Sequence, residues 1–127
     1  MKSVEDLDVF KKSFDLTSEI YRLTESFPKS ETFGLVSQMR RAAISIGSNL
    51  MEGGARLTDG EMKQFIGIAR GSAAELKFQL MISCRLKFIS SADGCVLITE
   101  TDNIRKMLTG LLKSIQSNHK SQVTNHG

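Results

Sequence analysis

Residues 37–56 read SQMRRAAISIGSNLMEGGAR, and the spacing of the apolar residues in this stretch predicts a helix. Its apolar side chains recur every three or four residues, so they share one face of a helix. That face consists of Leu35, Met39, Ala42, Ala43, Ile46 and Leu50. The adjacent Gly53 and Gly54 predict the end of the helix, because glycine accepts the left-handed conformation that closes helices.

Three further segments of helical length surround this one. Pro28 ends the first, because a proline disfavours helical conformation in the residue before it. The third opens with a capping box of Thr58 and Glu61. Four amphipathic helices with short connections predict a single all-α domain, an antiparallel up-down-up-down four-helix bundle. The predicted helices cover about residues 4–27, 30–52, 59–88 and 91–117, followed by a disordered polar tail over residues 118–127.

The first helix carries two apolar stripes. One consists of Leu7, Phe10, Phe14 and Tyr21, and the other of Val9, Leu16, Ile20, Leu23 and Phe27. The core of a single bundle needs only one such stripe from each helix. The other stripe therefore predicts a contact with another subunit.

The composition is that of a soluble cytoplasmic protein. Hydrophobic residues make up 40% of the chain and charged residues 24%, and no apolar run approaches the ~20 residues that span a membrane. The N-terminal residues lack the charged-then-apolar pattern of a secretion signal. Cys84 and Cys95 are too few for a disulfide framework or a zinc site. We therefore expect reduced thiols, a cytoplasmic location and no membrane partner.

Enzyme signatures are absent from the sequence. His119 and His126 lie in the predicted tail, and no nucleophile motif or phosphate-binding loop is present. Glu52 and Glu75 could face each other, but di-metal bundles take Glu-x-x-His from their helices, and no histidine is available there. The sequence predicts a non-enzymatic protein with no catalytic residue, no metal and no cofactor.

A basic stripe follows the third helix. Lys63, Arg70 and Lys77 recur every seven residues, and Arg85 lies nearby. Cations about 10 Å apart on a helix can follow the phosphates of a nucleic acid. The net charge of +3 and the pI near 9.0 favour a polyanionic partner only mildly. Two interpretations stay open, a nucleic-acid surface and a solvated face that keeps the protein soluble.

The second helix carries an unusual polar set. Arg40 and Arg41 are adjacent and therefore point about 100° apart, so they cannot serve the same role. We expect a carboxylate to hold Arg41, with Glu52 of a neighbouring subunit as a candidate, and Arg40 to line an interface or the basic surface. The alternative is that both bind an acidic ligand. The residues predicted to form an oligomer interface or a structural motif are Gln38, Arg40, Arg41, Ser45, Ser48, Asn49 and Glu52.

The quoted stretch resembles the motif S-Q-[IM]-R-R-A-[AS]-x-S-I-x-S-N-[IL]-x-E-G of a bacterial four-helix-bundle family, whose founding members are encoded in intervening sequences of large-subunit ribosomal RNA genes. The resemblance covers about residues 6–117 and includes the segments 20–35, 61–76 and 107–115. The chain departs from the family at Gly47, where proline is frequent, and at Phe10, where tryptophan is usual. These departures concern a local kink and not the fold.

The resemblance implies a homopentamer with no assigned reaction. The family is similar in fold to the accessory protein of diversity-generating retroelements, a basic pentameric barrel that binds nucleic acid and the reverse transcriptase. By this analogy we expect a non-enzymatic, oligomeric accessory protein that binds the phosphate backbone of RNA or DNA, with a reverse transcriptase as candidate partner. The alternatives are a scaffold oligomer that does not bind nucleic acid, and an enzyme or small-ligand binder with its site in the bundle core.

Overall fold

A computed structural model of the chain describes the backbone of residues 3–126 and the side chains of residues 3–115. Every regular element in this part is helical. The four long helices are α1 (Asp8–Thr24), α2 (Ser37–Gly54), α3 (Asp59–Arg85) and α4 (Ser91–His126). Among them, none has a segment long and apolar enough to cross a membrane.

Contacts between neighbouring helices give the direction of each one. Helices α1 and α2 run in opposite directions, because Arg40 contacts Thr24 and the Ala43 carbonyl contacts Thr17. The same reversal relates α2 to α3 and α3 to α4, and α4 also packs against α1. The pairs that show it are Met39 with Ser83, Ser45 with Ser72, Lys77 with Asp102, and Cys84 with Gly94. The predicted antiparallel four-helix bundle is confirmed.

One of the two stripes of α1 faces the core. The buried stripe is Val9, Leu16, Ile20, Leu23 and Phe27. In the other stripe, Phe14 is 65% exposed, Tyr21 is 38% exposed, and Phe10 packs only partly against the core. The bundle of one chain therefore leaves Phe14 and Tyr21 of the second stripe without a place in the core.

The first helix is shorter than predicted. Residues Val4–Asp6 form a separate 3-10 turn, and Leu7 is extended (φ −72°, ψ 138°) before α1 begins. This break lets the N-terminal turn fold back, so that the Val4 side chain lies against Gly54 at the end of α2. At its other end α1 stops at Thr24, ahead of Pro28.

The predicted glycine stop of α2 is wrong in its mechanism. Gly53 and Gly54 are both helical, and no described glycine has a positive φ. Ala55 ends the helix in right-handed conformation (φ −87°, ψ −6°). The glycines serve packing instead, since a β-carbon at Gly53 would lie 3.4 Å from the Met62 carbonyl, and one at Gly54 would collide with Val4.

The predicted helix of residues 30–52 begins irregularly. A 3-10 turn at Lys29–Glu31 leads into a π-helical segment at Thr32–Val36. Gly34 bends the chain there with φ −107° and ψ −107°, a conformation that side chains with a β-carbon avoid. The bend leaves Phe33 95% exposed.

Side-chain caps begin the last two helices. The Thr58 hydroxyl accepts the Glu61 N–H at 3.2 Å, as the capping box predicts, although the Glu61 carboxylate accepts from the Thr58 hydroxyl at 3.0 Å instead of from the backbone. The Ser90 hydroxyl accepts the Asp93 N–H at 3.1 Å. Helix α4 runs to His126, beyond the predicted end near residue 117. The side chains of residues 118–127 lie outside the described part, and the predicted disorder of this segment stays a prediction.

Helix α3 ends at Arg85, earlier than predicted, in a Schellman motif. The Phe88 N–H donates to the Ser83 carbonyl at 2.9 Å and the Lys87 N–H to the Cys84 carbonyl at 3.0 Å. Lys87 has φ 61°, in the left-handed region that favours glycine. Lys87 is exposed, so burial of its side chain does not offset the strain of this backbone conformation.

Substitution of Lys87 by glycine is therefore expected to stabilise the protein. The gain in the free energy of unfolding should be about 1 kcal/mol, because glycine adopts this conformation without a β-carbon penalty. Thermal unfolding followed by circular dichroism should show a melting temperature raised by roughly 3–5 °C. Lys87→Ala is the matched control and should give no gain. A glycine variant no more stable than the alanine variant would contradict the strain at Lys87.

Candidate nucleic-acid interface

The predicted basic stripe lies on the side of α3 that adjoins α4. Lys77 establishes this, because its Nζ lies 3.2 Å from Oδ1 of Asp102 on α4. Lys63 and Arg70 precede it at intervals of seven residues, about 10 Å each along the helix. Among the described side chains, no ion pair involves Lys63, Arg70 or Arg85. Three of the four predicted cations are thus unneutralised, and Lys77 is engaged between helices.

Asp102 gathers cations from both helices. Besides Lys77, Arg105 donates to its Oδ1 through Nε at 3.0 Å and lies 2.9 Å away through Nη2, and the Lys106 Nζ lies 3.5 Å from Oδ2. The hydrogen bonds from Arg105 and Lys77 lower the pKa of the Asp102 carboxyl to about 2, against a smaller opposing effect of burial. The carboxylate is therefore charged throughout the neutral range, and three cations around one anion leave two positive charges in excess.

The α4 part of this surface does not follow from the basic stripe of α3. Arg105 and Lys106 follow Asp102 by three and four residues, and Lys113 follows Lys106 by seven, so a helical plot of α4 would have grouped them. The sequence does not show that α3 packs against α4. We call the combined surface the basic face, defined by Lys63, Arg70, Lys77, Arg105 and Lys106.

Arg40 is held within its own chain. Its Nε donates to the Thr24 hydroxyl at 2.9 Å, and its Nη2 donates to the Tyr21 carbonyl and to the Glu25 carboxylate, both at 3.2 Å. The guanidinium also stacks 4.5 Å from the centre of the Tyr21 ring. Arg40 therefore joins α2 to the end of α1 and lines the outer surface, which favours the structural interpretation over an acidic ligand.

Arg41 is exposed and lines the same surface cavity as Arg40. Glu52, the candidate partner on a neighbouring subunit, pairs with Arg56 of its own chain at 2.9 Å. The pairing of Arg41 with a carboxylate of another subunit stays a prediction.

The other polar residues predicted on α2 are mostly occupied inside the chain. The Ser45 and Ser72 hydroxyls lie 2.8 Å apart between α2 and α3, and the Asn49 amide donates to the Ser45 carbonyl at 2.8 Å. Ser48 donates back to the Ile44 carbonyl at 2.6 Å, whereas Gln38 is exposed. Small polar residues here form a helix contact.

An apolar groove runs between α1 and α2. It consists of a cavity of about 450 Å³ that continues into one of about 640 Å³ towards Phe33, Arg40 and Arg41. Ile44 and Met51 are nearly half exposed along it, and Gly47 lies in its wall. The unused stripe of α1 forms the opposite wall. We call this feature the α1/α2 groove, lined chiefly by Phe10, Phe14, Tyr21, Ile44 and Met51.

The carboxylates considered for a metal site are engaged separately. Glu52 binds Arg56, and Glu75 accepts from the Gln79 amide at 3.3 Å. Within residues 3–115, no three side chains of histidine, cysteine, aspartate or glutamate come together in a way that could hold a metal ion.

Comparison with known proteins identifies a family and a similar solved structure. The model of the 23S rRNA-intervening sequence protein family matches residues 5–110. A solved structure of a protein with unknown function from the S23 ribosomal protein family of Bacteroides thetaiotaomicron is 23% identical. It aligns over 83% of this chain and 95% of that one with a TM-score of 0.77, a likeness that shows the shared fold. No curated protein matches the sequence.

Proposed function

This chain belongs to the 23S rRNA-intervening sequence protein family, and on that premise we propose that it is a non-enzymatic, oligomeric accessory protein that binds the phosphate backbone of RNA or DNA. The observation that carries the proposal is the basic face. Cations from α3 and α4 lie on one side of the bundle, and the only carboxylate paired with them among the described residues is Asp102.

The dimensions of the basic face suit a nucleic-acid backbone. Lys63 to Lys77 spans about 21 Å of helix, and the interval of about 10 Å between its cations corresponds to roughly three nucleotide steps of 3.4 Å. Contacts of this kind read the backbone and not the base sequence. The proposal therefore predicts binding with little sequence preference.

Assembly would enlarge the basic face. In the family pattern that the sequence resembles, the subunits form a homopentamer, and a closed ring repeats each surface around its axis. Several weak basic faces on one particle would then bind a long polyanion together, with a gain in avidity. The same analogy supplies a reverse transcriptase as the candidate protein partner.

The salt dependence of binding tests the proposed function. The affinity of the full-length protein for a labelled 20-base-pair RNA duplex, and for a DNA duplex of the same sequence, would be measured from 50 to 200 mM salt. We expect log K to fall linearly with log salt, with a slope of about −3.6 to −4.5 if four to five phosphates are neutralised. Unmeasurable binding of both duplexes at 50 mM salt would refute the proposal.

A scaffold oligomer without nucleic-acid binding is the second candidate, and the α1/α2 groove favours it. Exposed apolar side chains that form one continuous groove typically mark a contact with another protein. This candidate predicts assembly but no salt-dependent affinity for either duplex. Light scattering together with the salt series separates the two functions.

A further inference from the structure

Asp102 is the feature of the basic face that simple polyanion binding does not explain. A surface that binds phosphates gains from every cation and loses from a carboxylate at its centre. Here one carboxylate lies within 3.5 Å of the charged groups of Lys77, Arg105 and Lys106. We propose that Asp102 occupies the position of a phosphate group on the basic face and so acts as a built-in competitor that lowers the affinity for a nucleic-acid backbone.

The chemistry of the contacts supports the substitution of one anion for another. Carboxylate and phosphate oxygens are both charged acceptors, and the planar edge of an arginine suits either one. The Nε–H of Arg105 donates to Oδ1 of Asp102, Nη2 of the same guanidinium lies 2.9 Å from that oxygen, and the Lys77 Nζ approaches it from α3. Donors from two helices therefore converge on one point, as they would around a bound phosphate oxygen.

The charge balance supports it as well. One carboxylate cannot neutralise three cations, so two positive charges remain in excess at the cluster. A phosphate that displaced the carboxylate would keep the donors satisfied and leave the Asp102 side chain to water. The competition would thus weaken binding without abolishing it.

The cluster is also accessible. The Lys106 side chain is 66% exposed, those of Lys77 and Arg105 are each 36% exposed, and that of Asp102 is 21% exposed. A phosphate can reach these donors from solvent without any movement of the helices. The exposure also means that the ion pairs are screened, so an incoming polyanion competes with weak contacts.

A purely structural role would account for the same distances. Arg105 and Lys106 lie three and four residues after Asp102, as in ordinary helix-stabilising pairs, and Lys77 would join α3 to α4. The two roles differ in the sign of one effect. Removal of the carboxylate strengthens phosphate binding if Asp102 is a competitor, and leaves binding unchanged or weaker if Asp102 only positions the cations.

The test is the Asp102→Asn variant of the full-length protein, which keeps the shape of the side chain and removes its charge. This inference rests on the proposed function, and the probes are the same labelled 20-base-pair RNA and DNA duplexes. We expect the variant to bind three- to tenfold more tightly than the wild-type protein at 100 mM salt, with a steeper salt slope. The shared chemistry is the phosphodiester backbone, and a gain confined to one duplex would identify its source.

Glu100→Gln is the matched control. Glu100 is exposed on α4 and lies with Lys12 and Asp15 at the α1 side of that helix, so its substitution makes the same change of net charge away from the basic face. We expect less than a twofold effect. A gain as large in the Glu100→Gln protein as in the Asp102→Asn protein would overturn the inference, because net charge alone would then explain it.

The possible results distinguish a failure of the competitor role of Asp102 from a failure of the proposed nucleic-acid binding. If the wild-type protein binds and the Asp102→Asn protein binds equally or less tightly, the competitor role is refuted and the proposed function stands. If neither protein binds, both are refuted. Circular dichroism and light scattering would verify fold and assembly, and Asp102→Ser, a second neutral variant, gives the same comparison if the asparagine protein does not fold.

Discussion

Replacement of Lys63 and Arg70 by glutamate is expected to weaken binding of the RNA duplex by about 60-fold or more at 0.1 M salt. Each phosphate contact contributes roughly 0.9 logarithmic units of affinity at that concentration, and two contacts are removed. Lys77 is left in place because its ion pair with Asp102 joins α3 to α4. The salt slope should become shallower by about 1.8. Anisotropy titrations at several salt concentrations provide both quantities.

The fold should survive these two substitutions. Arg70 is exposed, Lys63 is half-buried, and neither forms an ion pair among the described side chains. The matched control reverses the charge of Lys12 and Lys29, which are exposed outside the basic face. It changes the net charge by the same amount and should cost much less affinity. An equal loss in both double variants would show that binding follows net charge and has no defined face.

Glutamate at both Phe14 and Ile44 is expected to convert the assembled protein into monomers. The two side chains line opposite walls of the α1/α2 groove and lie outside the buried core, with Phe14 65% and Ile44 47% exposed in the single chain, so the substitutions leave the core intact. In an assembly that covers the groove, they would bury two unpaired charges, at several kcal/mol each. Light scattering should then give the mass of one chain, 14.1 kDa, whereas the wild-type protein is expected to give a multiple of it.

The control for the groove is a pair of exposed apolar residues elsewhere. Val96 on α4 and Leu57 in the connection between α2 and α3 are 56% and 98% exposed. Their replacement by glutamate should leave the assembly unchanged. A wild-type monomer would refute the oligomer itself, whereas a groove variant that still assembles would show that the subunits meet through another surface.

The helical spacing of apolar residues was sufficient to predict most of the fold. The buried face of α2 was read from the sequence, because a helix that packs on one side must repeat apolar residues every three or four positions. Periodicity alone did not predict the breaks at Leu7 and Gly34. The break at Leu7 depends on a tertiary contact, since the turn before it folds back against Gly54, whereas Gly34 allows a bend that the apolar periodicity does not require.

The candidate site was predictable on one helix only. Lys63, Arg70 and Lys77 could be grouped because they repeat along α3, but their alignment with α4 is a tertiary property. The same limit applied to the arginines of the quoted stretch. That they point in different directions followed from helix geometry, whereas the partners of Arg40 on α1 became apparent only when the two helices were placed together.

The contact between Val4 and Gly54 links two distant parts of the sequence. The N-terminal turn is short and has no buried residue of its own, so it has little reason to persist without the end of α2 beneath it. Any side chain at position 54 would expel Val4 and release the turn. The position of the N-terminal turn therefore depends on the end of α2, and a substitution at Gly54 is expected to loosen the turn while the core of the bundle stays in place.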